Sequence, residues 1–528
     1  MAGARLAGFL MIAAAAFAPP ASQAATPPNM LVIGTDLSLP TLDPAALNAR
    51  TVSEAVSNLY DNLVQIPPDD LQTVRPMLAE SWEVSPDKRS ITMTMREGAT
   101  FASGNPVTAL DAAWTIQRVI KLGQVGATDI AAWGFTPENV DSLVKAVDER
   151  TLTIDLPEPV SPDLVLYSLA GSSLGIIDRQ TALEHEVHGD LARDWLKGNA
   201  APSGAFTLQQ YRPNDIFIAQ ARDDYWDGEP AMQRVIMRHI PESGSLRLQI
   251  EAGDVDVGHY VASNDLAAFA ESDEVTIQNV PGFGFYYVAL NMKDPDLQKP
   301  LVRQAFQHMM DWEALSRSSM RFYGFPWQSI VPKGMAGAPE EMTTKFNFDP
   351  ERAKELLAEA GYPNGLRKTL YPAGAAHLEN AEAFQASARL AGVELNLVPG
   401  EHVPDFRART FEVYMGNSGA RLPDPFATAM HYAFNPDNRD EANLGGYYLW
   451  RVAQEAPELL DLVERSKTET DPQARAEMFA QMEAHYQTMD PALIVFFQRT
   501  DPYVVRNEVK GYQGHPAWST RWAKVTKE

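Results

Sequence analysis

The sequence predicts a mixed α/β protein built from more than one domain, and three observations carry that prediction. Short apolar runs of strand character, such as residues 30–34, alternate with stretches of helical spacing, such as residues 51–63. A chain of 528 residues, 45% of them hydrophobic, exceeds what one core supports and points to two or three domains. The 38 prolines and 33 glycines are spread along the chain instead of massed in one linker, so the domains should be interleaved.

The chain opens with a secretion signature. Arg5 supplies a basic start, residues 6–17 form an apolar run, and Ser22-Gln23-Ala24 has the small residues a signal peptidase needs, so cleavage after Ala24 and export to the periplasm are expected. Retention as an N-terminal anchor helix is the alternative, disfavoured by the Pro19-Pro20 break. No later stretch approaches the roughly 20 apolar residues a membrane span needs. Cysteine is absent, which excludes disulfides, thiolate catalysis, cysteine-ligated metal and a lipoprotein anchor. Losing Arg5 with the leader moves the formal charge from -25 to -26, so nucleic acid is an improbable partner.

The elements follow in order. Residues 82–95 alternate on both sides of a Pro86-Asp87 turn and read as a hairpin. Thr108 offers a cap to a helix over residues 108–120, whose Leu110, Ala113, Trp114 and Ile116 share a face. Residues 206–240 are β-rich, and residues 246–250 read as a helix stopped by Gly253. A strand over 285–290 opens the C-terminal half, where helices at 300–310, 350–360 and 472–487 are each led by a proline suited to a first turn. No period of 20 to 50 residues repeats. Trp82, Trp114 and Trp226 are expected to serve folding.

Motifs for catalysis fail one by one. His185 and His188 lack the i, i+4 spacing of a zinc-protease helix, and Ser85-Pro-Asp-Lys88 sits in a predicted turn where no helix could present the serine. Gly282-Phe-Gly284 lacks the third glycine of a dinucleotide loop, and no phosphate loop or G-x-S-x-G elbow occurs. Asp254 and Asp256 read as structural or solvated rather than as a glycosidase pair. No enzyme activity, cofactor or metal is expected.

Several blocks, in order, resemble the extracellular solute-binding protein family 5, the oligopeptide, dipeptide and nickel receptors of ABC importers. They are Leu39-Pro-Thr-Leu-Asp-Pro44, Val74-Arg-Pro-Met-Leu-Ala-Glu-Ser-Trp-Glu-Val-Ser-Pro-Asp87, Met95-Arg-Glu-Gly-Ala-Thr-Phe-Ala-Ser-Gly-Asn-Pro-Val-Thr-Ala-Leu-Asp111, Pro202-Ser-Gly-Ala-Phe206 and Asp224-Tyr-Trp-Asp-Gly228. Tyr287-Val-Ala-Leu-Asn291, Val302-Arg-Gln-Ala-Phe306 and Asp349-Pro-Glu-Arg-Ala-Lys-Glu-Leu-Leu-Ala-Glu-Ala-Gly-Tyr-Pro363 continue the series.

The resemblance implies a two-lobed periplasmic-binding-protein clamshell of type II. Its lobe one would comprise residues 25–66, 196–284 and 496–528, with an extra subdomain at 67–195 inserted, and lobe two would span 285–495. It implies a monomer that closes over a small polar, peptide-like solute and presents it to a permease and its ATPase. A ligand drives closure only by binding the closed state better, so contacts must come from both lobes. The same scaffold serves opines, sugar derivatives and nickel chelates, which stay open as alternatives, with a periplasmic hydrolase or chaperone as readings of another class.

By resemblance, the ligand contacts are Tyr286 and Tyr287, His259 and Tyr260, and the loop of residues 416–425 with Ser418, Arg421 and Asp424. Aromatic core packing is the competing role of the tyrosines. Arg421 stands where peptide-binding relatives carry the aspartate that receives a ligand's α-ammonium. Two like charges at about 4 Å and an effective dielectric near 20 repel by about 4 kcal/mol. With Arg407 and Arg409 nearby in sequence, this pocket end is expected to prefer an acceptor-rich group, unless Arg421 merely braces its loop.

Overall fold

The computed structural model describes residues 26–528 apart from 48–49, 131–132, 343–345 and 421. The expected leader and Arg421 therefore lie outside the described residues.

One large mixed sheet organises both lobes. Its order is Val393–Leu397, Leu366–Pro372, Val413–Asn417, Val275–Leu290, Leu493–Arg506, Val257–His259, Met30–Thr35, Arg234–His239, Ile216–Ala221 and Phe206–Arg212, with Gly324–Pro326 also pairing to Leu493–Arg506. The two central strands are the longest, pair antiparallel along most of their length and serve both lobes. Their register shifts between Pro281 and Phe285 and again between Tyr286 and Tyr287, bulges that re-aim the side chains at the junction. On the first-lobe side, Met30–Thr35 runs parallel to both its neighbours; on the second, Leu366–Pro372 does the same.

A separate four-stranded antiparallel sheet, ordered Ala79–Val84, Ser90–Met95, Thr151–Asp155 and Val144–Ala146, forms within the inserted segment. The helix Ala109–Leu122 packs with it, started where the Thr108 N–H and hydroxyl both donate to Asp111 Oδ2, at 3.0 and 2.6 Å, and ended by Gly123 at φ 57°. The Leu39–Pro44 block explains itself here. Asp43 caps a short turn through Ala45 N–H and takes a bidentate pair from Arg118 at 2.7 Å for each bond, both side chains buried. That pair ties the N-terminal segment to the inserted helix.

Three clusters hold the buried apolar side chains among the described residues, the smallest around Ile240, Leu246, Ile250 and Phe269. The first lobe closes around Leu31, Ile33, Phe206, Phe217 and Trp522. The second lobe's core, including Phe306, Phe384, Met482 and Phe496, is continuous with that of the inserted subdomain, including Ile91, Ile116, Trp133 and Ile154. Polar contacts accompany this junction: Ser161 N–H donates to Lys467 O at 2.9 Å, and Lys467 Nζ lies 3.5 Å from Glu158. Trp114 is buried in the first-lobe core, while Trp82 and Trp226 are half-buried, Trp226 donating to Asp61 at 2.8 Å. The predicted helices begin at their prolines, as Pro300–Gln307, Pro350–Glu359 and Pro472–Thr488, and Asp349 and Asp471 cap the last two. Among the described residues no helix is long and apolar enough to cross a membrane.

Candidate functional site

Where the lobes meet, one carboxylate is shared by two guanidiniums. Arg499 and Asp501 lie on the central strand Leu493–Arg506, and Arg50 starts the helix Arg50–Leu59. Asp501 Oδ1 accepts from Arg499 Nε at 3.1 Å and Nη2 at 2.8 Å, and Arg50 Nη1 lies 3.2 Å from the same oxygen. Asp501 Oδ2 accepts from the Trp518 indole at 3.0 Å. Burial raises the Asp501 carboxyl, but the two guanidiniums hold it below its usual range. Burial likewise pulls Arg50 down, and Asp501, with Tyr260, Tyr503 and Glu54, more than reverses that. The trio therefore keeps one net positive charge in a desolvated place.

Aromatic side chains wall this cluster. The Arg50 guanidinium carbon sits 4.2 Å from the Tyr260 ring centroid and 5.0 Å from that of Tyr503, and Arg499 lies 5.8 Å from Trp518. Tyr260 and Trp518 both hold left-handed backbone, φ 55° and 64°, which bulky residues rarely adopt. Such strain persists where surrounding structure enforces it, and it concentrates at functional sites. The second lobe adds Tyr286, whose ring meets His377 at 5.9 Å, and Asn417, within reach of both. Burial, with the charge of Arg499, pushes the His377 imidazole down to about 4, so it stands neutral. A side chain at Gly419 would meet the Trp518 ring at 3.5 Å, so the second-lobe loop passes close to that ring.

Beneath Arg50 lies a buried polar network. Glu54 Oε1 accepts from Tyr512 Oη and Trp522 Nε1, each at 2.9 Å, and His259 Nε2 lies 3.0 Å from Tyr512 Oη and 3.7 Å from Glu54 Oε2. Burial, only partly offset by those bonds and by Arg50, pushes the Glu54 carboxyl up to about 7. Burial and then Arg50 push His259 well below its ordinary range.

The sequence-predicted site residues divide between those beside this cluster and those enclosed elsewhere. Tyr260 and Tyr286 both lie beside the charged cluster, Tyr260 over Arg50 and Tyr286 within electrostatic reach of Arg499 and Asp501. Tyr260 is 39% exposed because its left-handed backbone turns the ring outward, whereas His259, one residue earlier on the strand, is enclosed beneath it. Tyr287 is 1% exposed and packs among Phe406, Tyr414, Tyr432 and Tyr448, which corrects its assignment as a ligand contact: it is core.

The loop residues are corrected in the same way. Ser418 accepts from Phe285 N–H at 3.0 Å and from Tyr432 Oη at 2.8 Å, locking the loop to the central strand. Asp424 is fully enclosed, accepts two bonds from Arg475 at 2.6 and 2.8 Å, and caps the helix Pro425–Ala433 through Phe426 N–H. Nothing of either side chain remains for a solute. Arg409 is enclosed by Asn438, Asp440 and the face of Trp450, and Arg407 is exposed on the short helix Val403–Ala408. Neither joins the cluster.

Sequence reasoning passed over Arg50, Arg499, Asp501 and Trp518. A signal existed for two of them. Arg499 and Asp501 interrupt the apolar run of residues 492–505, and a charge inside a buried strand demands a partner.

Comparison with known proteins gives the family and the fold. The family model described as bacterial extracellular solute-binding proteins, family 5 middle, matches residues 73–440. The chain is 28% identical over 508 residues to a probable D,D-dipeptide-binding periplasmic protein of Escherichia coli, covering 94% of each. It is 26% identical over 516 residues to the dipeptide-binding protein of the same organism, covering 92% of each. A solved periplasmic binding protein from Helicobacter pylori, in complex with the peptide STSA, superposes with a TM-score of 0.77 at 21% identity, over 94% of this chain and 98% of that one. The fold is that of a type II periplasmic binding protein. The chain thus belongs to family 5 of the bacterial extracellular solute-binding proteins, a family of receptors rather than enzymes.

Proposed function

We propose that the protein is a periplasmic, monomeric receptor that captures a peptide or peptide-like solute between its lobes and delivers it to the permease and ATPase of an ABC importer. One observation carries the reading most strongly: the polar cluster of Arg50, Arg499 and Asp501 is flanked by Tyr260 from one lobe and, from the other, by Tyr286, to which Asn417 bonds. A solute seated there touches both lobes and favours the closed state. Relatives named for dipeptides support the solute class. The proposed boundaries between lobes, at 284/285 and 495/496, fall within the two long strands, where a bend moves one lobe against the other. Export rests on the leader of residues 1–24.

A thermal-shift panel of dipeptides, tripeptides, opines, sugars and metal chelates tests the proposal. Ligand at 100 times its Kd stabilises by about 2.7 kcal/mol. The expected result is a shift with peptides, a smaller radius of gyration in solution scattering when the responding compound is added, and recovery of that compound chemically unchanged. A flat response to every class, or hydrolysis of the responding compound, overturns it.

A further inference from the structure

We infer that Arg50 and Arg499 form a carboxylate-reading subsite, so that the receptor selects solutes carrying a free planar carboxylate at the end that enters the first lobe. The inference deepens the receptor reading and rests on it. Asp501 is saturated: its Oδ1 meets both guanidiniums and its Oδ2 the Trp518 indole. A guanidinium has five N–H donors, and this one carboxylate cannot satisfy ten. Arg50 directs Nη1 to Asp501, which leaves the Nε–Nη2 edge, the two-donor fork that matches a carboxylate. Its Nε is buried and has no hydrogen-bond partner among the described residues.

The setting favours an anion for two further reasons. Tyr260 and Tyr503 flank the Arg50 guanidinium and hold it in place before a ligand arrives. Arg499 is more accessible, with 21% of its side chain exposed, and it faces Tyr286, so a carboxylate entering from the second-lobe side meets it first. The other ionisable groups around the pair do not cancel the charge. Burial favours the neutral form of Glu54 by pushing its carboxyl up to about 7, and it holds His259 and His377 neutral. A ligand ammonium at this position would meet two guanidiniums against one carboxylate, so the subsite rejects the amino end of a peptide.

The test uses three probes on the full-length mature protein: alanyl-alanine, alanyl-glutamate and the C-terminal amide of alanyl-alanine. Affinities are measured by calorimetry for wild type, Arg499→Gln, Arg50→Gln and Arg50→Lys, with melting temperatures of the unliganded variants as the folding control. The expected result is that wild type binds alanyl-alanine at least tenfold more tightly than its amide. Each arginine variant should abolish that preference, and Arg50→Lys should lose it despite keeping the charge. Retention by alanyl-glutamate of its affinity in all variants, or equal binding of acid and amide by wild type, overturns the subsite while leaving the receptor reading intact. If the Arg50 variants fail to fold, Arg499→Gln, at the more exposed position, decides alone. Failure of wild type to bind any of the three, with a thermal-shift panel flat for every peptide, overturns the peptide reading and this subsite with it.

Discussion

Replacing Asp424 with alanine distinguishes a brace from a ligand contact. The carboxylate is fully enclosed and carries three bonds, two from Arg475 and one from Phe426 N–H. Removing it strands a guanidinium whose remaining bond runs to Ser466 O at 2.7 Å and uncaps the helix Pro425–Ala433. Breaking one partner of a buried pair costs about 3 to 5 kcal/mol and losing a cap about 1 kcal/mol, for a total near 4 to 6 kcal/mol. Asp163, close enough to interact with Arg475 electrostatically, moves the expectation toward the lower figure. Urea unfolding followed by tryptophan fluorescence reads the loss. Because the second lobe shares one continuous core with the inserted subdomain, the expected signature is an early transition of those two together. The double variant Asp424→Leu with Arg475→Met should recover much of the loss, since it leaves no unpaired charge. Wild-type stability in Asp424→Ala, together with a large loss of solute affinity, would refute the bracing role.

Three other outcomes follow from the same geometry. Arg118→Met should cost about 3 to 5 kcal/mol by leaving Asp43 buried and unpaired, seen as a lowered unfolding midpoint; an unchanged midpoint refutes the staple between the N-terminal segment and the inserted helix. Glu54 titrates near 4.5 when unfolded and about 7 when folded, so its contribution is fully present below pH 4.5 and is lost as pH rises through 7. Glu54→Gln should therefore gain stability relative to wild type between pH 5 and pH 8, by up to about 3 kcal/mol, and parallel pH–stability curves would contradict this. In Gly284→Ala the new Cβ would lie 2.0 Å from Ser418 O, so the loop of residues 417–420 must shift; solute affinity should fall while circular dichroism stays native, and intact affinity would show that the loop does not shape the cleft.

The sequence by itself determined what depends on near neighbours. Helix starts were legible because Pro300, Pro350 and Pro472 fix φ at a first turn, and Thr108 with Asp111 closes its box within four residues. The hairpin at Ser85-Pro-Asp87 was legible for the same reason, with Ser85 and Asp87 bonding each other across the turn. The ordered blocks also made the clamshell recognisable. Tertiary structure decided the roles of the polar residues. Asp424 meets Arg475 51 positions away, and Arg50 meets Asp501 451 positions away. Neighbouring Tyr286 and Tyr287 are both buried but meet different partners, because successive strand residues point to opposite faces: Tyr286 packs by His377 and Phe496, and Tyr287 among Phe406, Tyr414, Tyr432 and Tyr448. A buried charge is stabilised only by the partner the fold brings to it, and no local period or spacing encodes which distant residue that will be.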